Sequence, residues 1–505
     1  MKVFNPKLVA LMAVFAFFAA FDPARNAYAA AIPISEQPLF TQSALPPLMM
    51  MVMSRDEQLF NKAYPDFTDL NGDGQLDTTY QNAFDYSGYF DSRLCYTYAG
   101  GVFAPSGPAT NHQCGGTWSG NFMNWVSMSR LDVLRFVFYG GYRSTDAATT
   151  VLERASIPND LHAWVKVYTG ADAGQYTPYG GPISFCNASM EANGSTTATS
   201  PPVMRVASGA FTEWAGTASN QCRWREEAYS TTCVGAAGNN SCYDDAPQAA
   251  AKGGTGGFTV RVQACGSAAN RETFCQKYTN AGVDSYKPVG LLQTYGENGS
   301  MRFGLLTGSF SAPRSGGVLR RNIGRFAGNT GALNAEGCAA GDEVNTKNGR
   351  FCNQNVGAAT PEGIVKTMNA LKLTQWSGSV WNDCNTYGIL NRAGSPHLNN
   401  PGTAASSQNC MAWGNPLSEM YAEAVRYISA NGRTAGFNSG TELAGLPSAT
   451  WLDPYRSLAT GGSPYCAKCN ILVLSTGLNS FDSDELPAVP NLPRSAAAST
   501  QAVGG

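Results

Sequence analysis

The chain has 505 residues, a net charge of −2 and 14% charged residues, well below the roughly 25% of average soluble proteins. No basic stripe accompanies that charge, which argues against a nucleic-acid partner. The length allows a sizeable buried core in two or three structural units.

Met1–Ala29 reads as a targeting segment. Lys2 and Lys7 precede the apolar run Leu8–Phe21, which is too short to cross a bilayer comfortably, and Ala27-Tyr-Ala29 is a small-x-small cleavage pattern. The expectation is a signal peptide over 1–29, cleaved after Ala29, with an uncleaved anchor as the alternative. No later stretch is apolar enough for a transmembrane helix, so the mature chain is expected to have none. Leu45–Met53 is long enough for one buried strand.

Next comes Asp69-Leu-Asn-Gly-Asp-Gly-Gln-Leu-Asp77. Side-chain oxygens at Asp69, Asn71, Asp73 and Asp77, a carbonyl at Gln75 and Gly74 at the turn reproduce the front half of a calcium loop. A hard cation takes about six to eight oxygens, and alternating acids on a tight turn converge on one point. The back half departs from that pattern: Tyr80 stands where an EF-hand has its bidentate glutamate, and no long amphipathic helices flank the loop. Asp85, Asp91 or water would complete the shell. The competing reading is an Asn-Gly/Asp-Gly turn with solvated acids.

After the loop, Asp85-Tyr-Ser-Gly-Tyr-Phe-Asp91 and Cys95-Tyr-Thr-Tyr98 are dense in aromatics and read as exposed loops. Gly120-Asn-Phe-Met-Asn-Trp125 follows. Ser127–Phe138 reads as a helix, with Ser129 and Asp132 as a capping box and Leu131, Leu134 and Phe138 at helical spacing. Tyr139-Gly-Gly-Tyr-Arg143 and Val151-Leu-Glu-Arg-Ala155 come next. Asp172–Asn298 is rich in Gly, Ser and Cys and reads as an inserted, disulfide-stapled β module, with bridges supplementing a small core.

The 14 cysteines all follow the targeting segment, as an oxidising compartment requires. They group evenly: Cys95 with Cys114, six from Cys186 to Cys275 (Cys222, Cys233, Cys242 and Cys265 between them), Cys338 with Cys352, Cys384 with Cys410, and Cys466 with Cys469. Seven disulfides are expected, with local pairing favoured. Zinc is the rival, against which stand only three histidines, although Cys-only sites exist. Cys466-Ala-Lys-Cys469 precedes a strand instead of opening a helix, so it reads as a structural bridge and not a thioredoxin-like pair.

Regular structure returns at Met301–Phe310, a strand. Thr360-Pro-Glu362 starts a helix whose Ile364, Met368 and Leu371 share a face. Asn415-Pro-Leu-Ser-Glu419 starts another, with Asn415 as cap, Leu417, Met420, Tyr421, Ala424 and Ile428 as its apolar side, and Gly432 at its end. Asn470–Ser475 reads as a buried strand. Strands alternating with helices predict a doubly wound, mostly parallel α/β sheet.

In order, the acidic loop, the Tyr-rich segment, Gly120–Trp125, Ser129–Arg135, Tyr139–Arg143 and Val151–Ala155 resemble the amino-terminal half of the PilC/PilY family of type IV pilus biogenesis and tip-adhesin proteins. Pro46-Pro-Leu-Met-Met-Met-Val-Met-Ser-Arg-Asp56 is similar to one branch of it. The resemblance runs from about Pro38 to Pro487 and is weakest between about Asp172 and Asn298. It implies a von Willebrand factor A-like doubly wound sheet carrying a long disulfide-rich insertion. The expected divisions are 1–29 signal peptide, 30–170 first part of the A-like domain with the calcium loop, 171–300 inserted module, 301–486 remainder of the A-like domain, and 487–505 a Pro/Ala/Ser-rich tail. The metal site that such domains often carry departs from its pattern here: Ser54-Arg-Asp-Glu-Gln58, Asn415-Pro-Leu-Ser418 and Ser475-Thr-Gly477 stand at its three places. Asp56, Ser418 and Thr476 are its candidates, with first-turn hydrogen bonding of its own helix as the other role for Ser418, and Asp482, Asp484 and Glu485 read as a solvated turn, with supplementary ligands as the alternative. Family members usually continue into a β-propeller, of which this chain shows no repeat.

The resemblance implies a non-enzymatic, exported protein at the pilus, cell surface or outer membrane, reached via the periplasm. Its expected partners are minor pilins or other pilus components and surface or host ligands. The one expected cofactor is Ca2+, held by Asp69, Asn71, Asp73, Gln75 and Asp77. Two alternatives remain: a secreted calcium-binding adhesive module unrelated to pili, and an exported hydrolase. No Gly-x-Ser-x-Gly or His-Glu-x-x-His motif supports the latter, and His112, His162 and His397 have no evident catalytic setting.

Overall fold

The computed structural model describes residues 45–159, 162–190, 199–210, 222, 257–266, 268–309, 315–352, 362–371, 373, 414–434, 437, 446–480, 482 and 486. The expected signal peptide 1–29, the tail 487–505, Thr360-Pro361, Asp484-Glu485, His397 and Cys233, Cys242, Cys384 and Cys410 lie outside these residues. Contacts group the chain into Met1–Leu45 and Pro46–Gly505, and the described elements belong to the second unit.

Leu48-Met-Met-Met-Val-Met53 is apolar at every position, the signature of a strand buried on both faces. It forms the centre of a four-stranded sheet, paired in parallel with Arg302–Thr307 on one side and Cys469–Leu474 on the other. Side chains alternate across the sheet. Met51 and Met53 join a cluster with Leu131 and Phe138 of one helix and Ile364 and Met368 of another. Met50 and Val52 face the opposite cluster, with Met420, Ala424 and Tyr427. Helices therefore cover both faces, and the protein is mixed α/β, as the alternation of elements predicts. Val318–Gly324 adds a fourth strand antiparallel to Arg302–Thr307. Residues 308–317 between them are fewer than the dozen or so that a parallel crossover takes. Cys469–Leu474, expected as buried, is an edge strand with Leu472 and Val473 partly exposed.

The helix expected over Ser127–Phe138 is α2 (Arg130–Tyr139), and a separate helix, α1 (Gly120–Ser127), precedes it. The break falls at Met128-Ser129, because Ser129 and Asp132 close the predicted capping box and restart the helix. Gly140 ends α2 at φ 79°, a left-handed turn that glycine adopts at little cost. Leu291–Gly296 (α3) and Ile364–Ala370 (α4) follow. Leu417–Ile428 (α5) has Pro416, not Asn415, at its N-cap position with no side-chain cap bond, and ends at Ser429, before Gly432. Its apolar face is also rotated from the expected one: Tyr421 is exposed while Tyr427 is buried.

Two further sheets share one aromatic cluster. The six-stranded sheet runs in the order Trp118–Ser119, Leu94–Ala99, Val102–Pro108, Arg261–Ala264, Thr150–Glu153 and Arg143–Asp146. An antiparallel sheet joins Phe258–Thr259, Pro202–Ser208, Ile183–Ser189 and Trp164–Tyr168. Strands from 171–300 thus pair with strands that precede residue 171, and Phe185, Met204, Phe258 and Val262 pack in the same cluster as Tyr80, Phe90, Phe122 and Trp125.

Four disulfides are formed among the described residues, Cys95–Cys114, Cys186–Cys222, Cys265–Cys275 and Cys338–Cys352. All four respect the expected local grouping. The expected Cys466–Cys469 bridge is absent and both thiols are free. Ala467 turns inward between them, leaving Cys466 exposed while Cys469 packs beside Tyr455. Burial pushes the Cys469 thiol up to about 11, the opposite of the acidic thiol a redox pair needs.

Candidate metal loop and sheet edge

The acidic stretch folds as a tight loop whose oxygens wrap its own backbone. Asp69 Oδ1 accepts from the Gly72 and Asp73 amides at 2.7 and 3.1 Å, and its Oδ2 from Gly74 at 2.9 Å. Asn71 Oδ1 accepts from the Asp73 amide and Asp73 Oδ1 from the Gln75 amide. Asp77 is buried, with its Oδ2 receiving the Leu70 amide at 2.7 Å, and its own amide bridges to Thr68. Gly72 and Gly74 take φ of 77° and 85°, which lets the chain reverse within so few residues. All five expected ligand residues therefore share one loop, and an all-oxygen set suits a hard cation. Their carboxylates do not close on a common point, however. Among the described residues the group with three ligand atoms within 4.8 Å is Cys265, Glu272 and Cys275. Cys265 and Cys275 are disulfide-bonded, so that group offers no thiolate to a metal.

Neither acid expected to complete the loop does so. The Asp85 carboxylate pairs with His112 Nε2 at 2.9 Å. Asp91 is buried, held by Arg93 at 3.0 Å and by the Thr273 amide at 3.1 Å. Burial would raise the Asp91 carboxyl, but these partners bring it below its usual range. Tyr80 points into the aromatic cluster, against Tyr86, Phe122 and Tyr176.

The segment after the loop, expected to be exposed, is buried: Tyr80, Tyr86, Tyr89, Phe90 and Tyr96 are all at most 5% accessible. An irregular buried segment must find partners for its backbone groups. Two asparagines one helical turn apart on α1 supply them. Asn121 accepts from the Tyr86 amide at 2.8 Å and donates to Phe84 O and the Tyr80 hydroxyl. Asn124 accepts from the Phe90 amide at 3.1 Å and donates to Tyr86 O and Phe90 O at 2.7 and 2.8 Å. The helix comes so close that a Cβ on Gly120 would lie 2.1 Å from Asp91 O, and one on Gly88 2.4 Å from Asn124 Oδ1. Reading the sequence missed these residues; the signal was two asparagines at i and i+3 within an otherwise apolar helix. Just before the loop, Asp66 is held by Lys62 at 2.8 Å and by the buried Lys166 at 2.5 Å. Lys166 also lies 4.3 Å from the Trp125 ring centre.

At the carboxyl end of the parallel strands, the structure brings two of the three edge candidates together. The hydroxyls of Ser54 and Thr476 both donate to Asp56, the latter at 2.9 Å. Ser418 belongs to a different cluster. Its amide and hydroxyl both donate to Asp482, which Asn479 also bonds at 2.8 Å. Asp482, expected as a solvated turn, thus places its negative charge at the start of α5, where free N–H groups favour it. Asn415 spans to the strand end through Ser475 Oγ and Leu478 O at 3.2 and 3.1 Å.

Two family models match the chain, "PilY1 homolog, small alpha/beta domain" over residues 77–207 and "PilY1 homolog, second domain" over residues 303–504. Two proteins of Xylella fastidiosa (strain Temecula1), both described as "Type IV pilus biogenesis factor PilY1 homolog", are similar to it. One is 34% identical over 472 residues, covering 87% of this chain and 29% of that protein. The other is 27% identical over 280 residues, covering 53% of this chain and 20% of that protein. The chain therefore spans less than a third of the length of these curated relatives. No solved structure matches it. With two successive family models on it and most of its length aligned to one such factor, the chain belongs to the PilY1-homologue family of type IV pilus biogenesis proteins.

Proposed function

We propose that this chain acts without enzymatic activity in the assembly of a type IV pilus, as an exported protein at the pilus tip or cell surface that contacts minor pilins and surface or host ligands. The observation that carries this reading is the 34% identity, across 87% of the chain, with a type IV pilus biogenesis factor. Disulfides within the fold support folding in an oxidising compartment outside the cytosol. The sheet covered on both faces, with Asp56 and Thr476 joined at its carboxyl edge, supports a von Willebrand A-like reading of that unit. Calcium at Asp69–Asp77 would be structural and weak, since the loop carboxylates first have to exchange amide partners for the ion. Deletion of the gene, with complementation, tests the proposal: surface pili, twitching and attachment should fall together. Normal piliation and motility in a deletion strain without a second copy would refute it.

A further inference from the structure

The amino end of the parallel sheet, opposite the edge that carries Asp56 and Thr476, gathers three arginines. Arg302 opens its strand beside Leu48, and the antiparallel register that pairs Phe303 with Gly324 sets Arg302 against Arg325. Like charges directly across two strands repel. Arg456 joins them from a neighbouring turn. Its Nε donates to Thr460 O at 3.0 Å and its Nη1 to Asp453 O at 2.9 Å. Arg302 Nη1 grips the same turn, donating to Gly462 O and Ser463 Oγ at 2.7 and 2.8 Å and to Gly461 O at 3.4 Å.

No carboxylate among the described residues ion-pairs with any of the three. Arg321, whose Nη2 donates to Arg325 O, takes Glu343 and Glu362 at 3.6 Å each. Asp453 Oδ1 accepts from the Tyr455 amide at 2.8 Å. The crowding of charge is felt at Arg302, whose guanidinium is lowered from its ordinary value by burial and then by Arg325 and Arg456. All its bonds use Nη1, so Nε and Nη2 have no partner among the described residues and are not enclosed. That edge of a guanidinium takes a carboxylate through two parallel bonds. Beside it, the turn holds apolar side chains out to solvent: Leu458 is 64% and Tyr465 82% accessible, and Tyr465 stacks on Tyr455 with ring centres 5.4 Å apart.

We propose that this surface docks an acidic peptide segment of a partner protein. One carboxylate sits on the open edge of Arg302, between Arg325 and Arg456, and an adjoining apolar side chain lies against Leu458 or Tyr465. A guanidinium held by three acceptors suits one placed carboxylate better than mobile lipid headgroups, and an anionic glycan has no use for an exposed leucine. The site rests on this surface alone and does not depend on the pilus reading.

The test is fluorescence anisotropy of the full chain with a fluorescein-labelled peptide that alternates glutamate and leucine. A glutamine–leucine peptide, heparin and phosphatidylglycerol vesicles are the comparison ligands. Arg325 is exposed and its side chain makes no hydrogen bond among the described residues, so Arg325→Glu spares the fold and turns a repelling pair into an attracting one. Its Tm should not fall, whereas its affinity for the glutamate peptide should fall at least about tenfold. Arg325→Gln, which only removes the charge, repeats the measurement should the reversal disturb melting. Lys277→Glu, on the separate Cys275–Asn280 strand, makes the same change in net charge and should bind as the wild type does. Failure of the wild type to bind the glutamate peptide saturably overturns the proposal, as does equal binding of the glutamine peptide. Equal losses in the Arg325 and Lys277 variants show a general field instead of a site and overturn it too. Tighter binding of heparin or of the vesicles overturns the partner class.

Discussion

Replacing Asn124 by alanine should destabilise the aromatic core far more than a typical polar substitution. The side chain makes three hydrogen bonds to buried backbone, with Phe90 N, Tyr86 O and Phe90 O, at 3.1, 2.7 and 2.8 Å. Each backbone group left unpaired costs about 1–3 kcal/mol. Water entering the space vacated by the amide recovers part of this, so about 3–6 kcal/mol is expected in total. For a cooperative unit of 150–250 residues that is a drop of roughly 6–24 °C in Tm. The assay is thermal melting followed by near-ultraviolet circular dichroism, which reports the packed rings of Tyr80, Tyr86 and Trp125. Asn124→Asp should fall nearly as far, because it keeps one acceptor but turns the donor towards Tyr86 O into a second acceptor. A loss below about 1 kcal/mol in the alanine variant would refute the reasoning, since it would equal a single ordinary hydrogen bond.

Calcium should bind the wild type with a Kd on the order of 10⁻⁴–10⁻³ M and add about 1.4 kcal/mol at ten times that concentration; Asp73→Ala should abolish both effects in calorimetry and melting, and a wild type silent to calcium would leave the loop a turn. Lys166, lowered to about 8 by burial against the pull of Asp66, binds fewer protons folded than unfolded, so stability should rise with pH from about 8 towards 10.5. Lys166→Met should flatten that slope in denaturation at pH 7.5–9.5 without erasing it, because Lys287 is shifted in the same direction by burial; an unchanged slope would contradict the assignment. Maleimide labelling of the native protein with peptide mapping should modify exposed Cys466 quickly and half-buried Cys469 slowly, and protection of both would indicate a bridge after all.

The parts of the fold legible in the sequence are those fixed by local chemistry. Leu48–Met53 announces a strand buried on both faces because no position is polar, and Ser129 with Asp132 marks the start of α2 because the cap needs only neighbouring residues. The acidic loop is equally local: its five candidates share one tight turn, although their carboxylates do not close on a common point. What could not be read depends on partners distant in sequence. Tyr80–Tyr96 looks like exposed loop because its backbone partners, Asn121 and Asn124, lie about 30–40 residues away. Asn415 has the chemistry of a helix cap, yet its Nδ2 is tied to Ser475 and Leu478 across the sheet edge and its Oδ1 meets no helix amide. Cys466 and Cys469 have the spacing of a bridge, but the inward turn of Ala467 separates their thiols.

The central place of Leu48–Met53 also sets a timetable for folding. Met49 is paired with Phe303 and Asn470, so the middle of the sheet is made early and its last neighbour about 420 residues later. At roughly 5–20 residues per second of synthesis, one edge of an all-apolar segment stays uncovered for about 20–80 s. During that interval Leu-Met-Met-Met-Val-Met is an open template for other chains. Covering the first strand with added holdase chaperone, or shortening the wait by faster elongation, should therefore raise the yield of soluble protein more than any change to the finished surface.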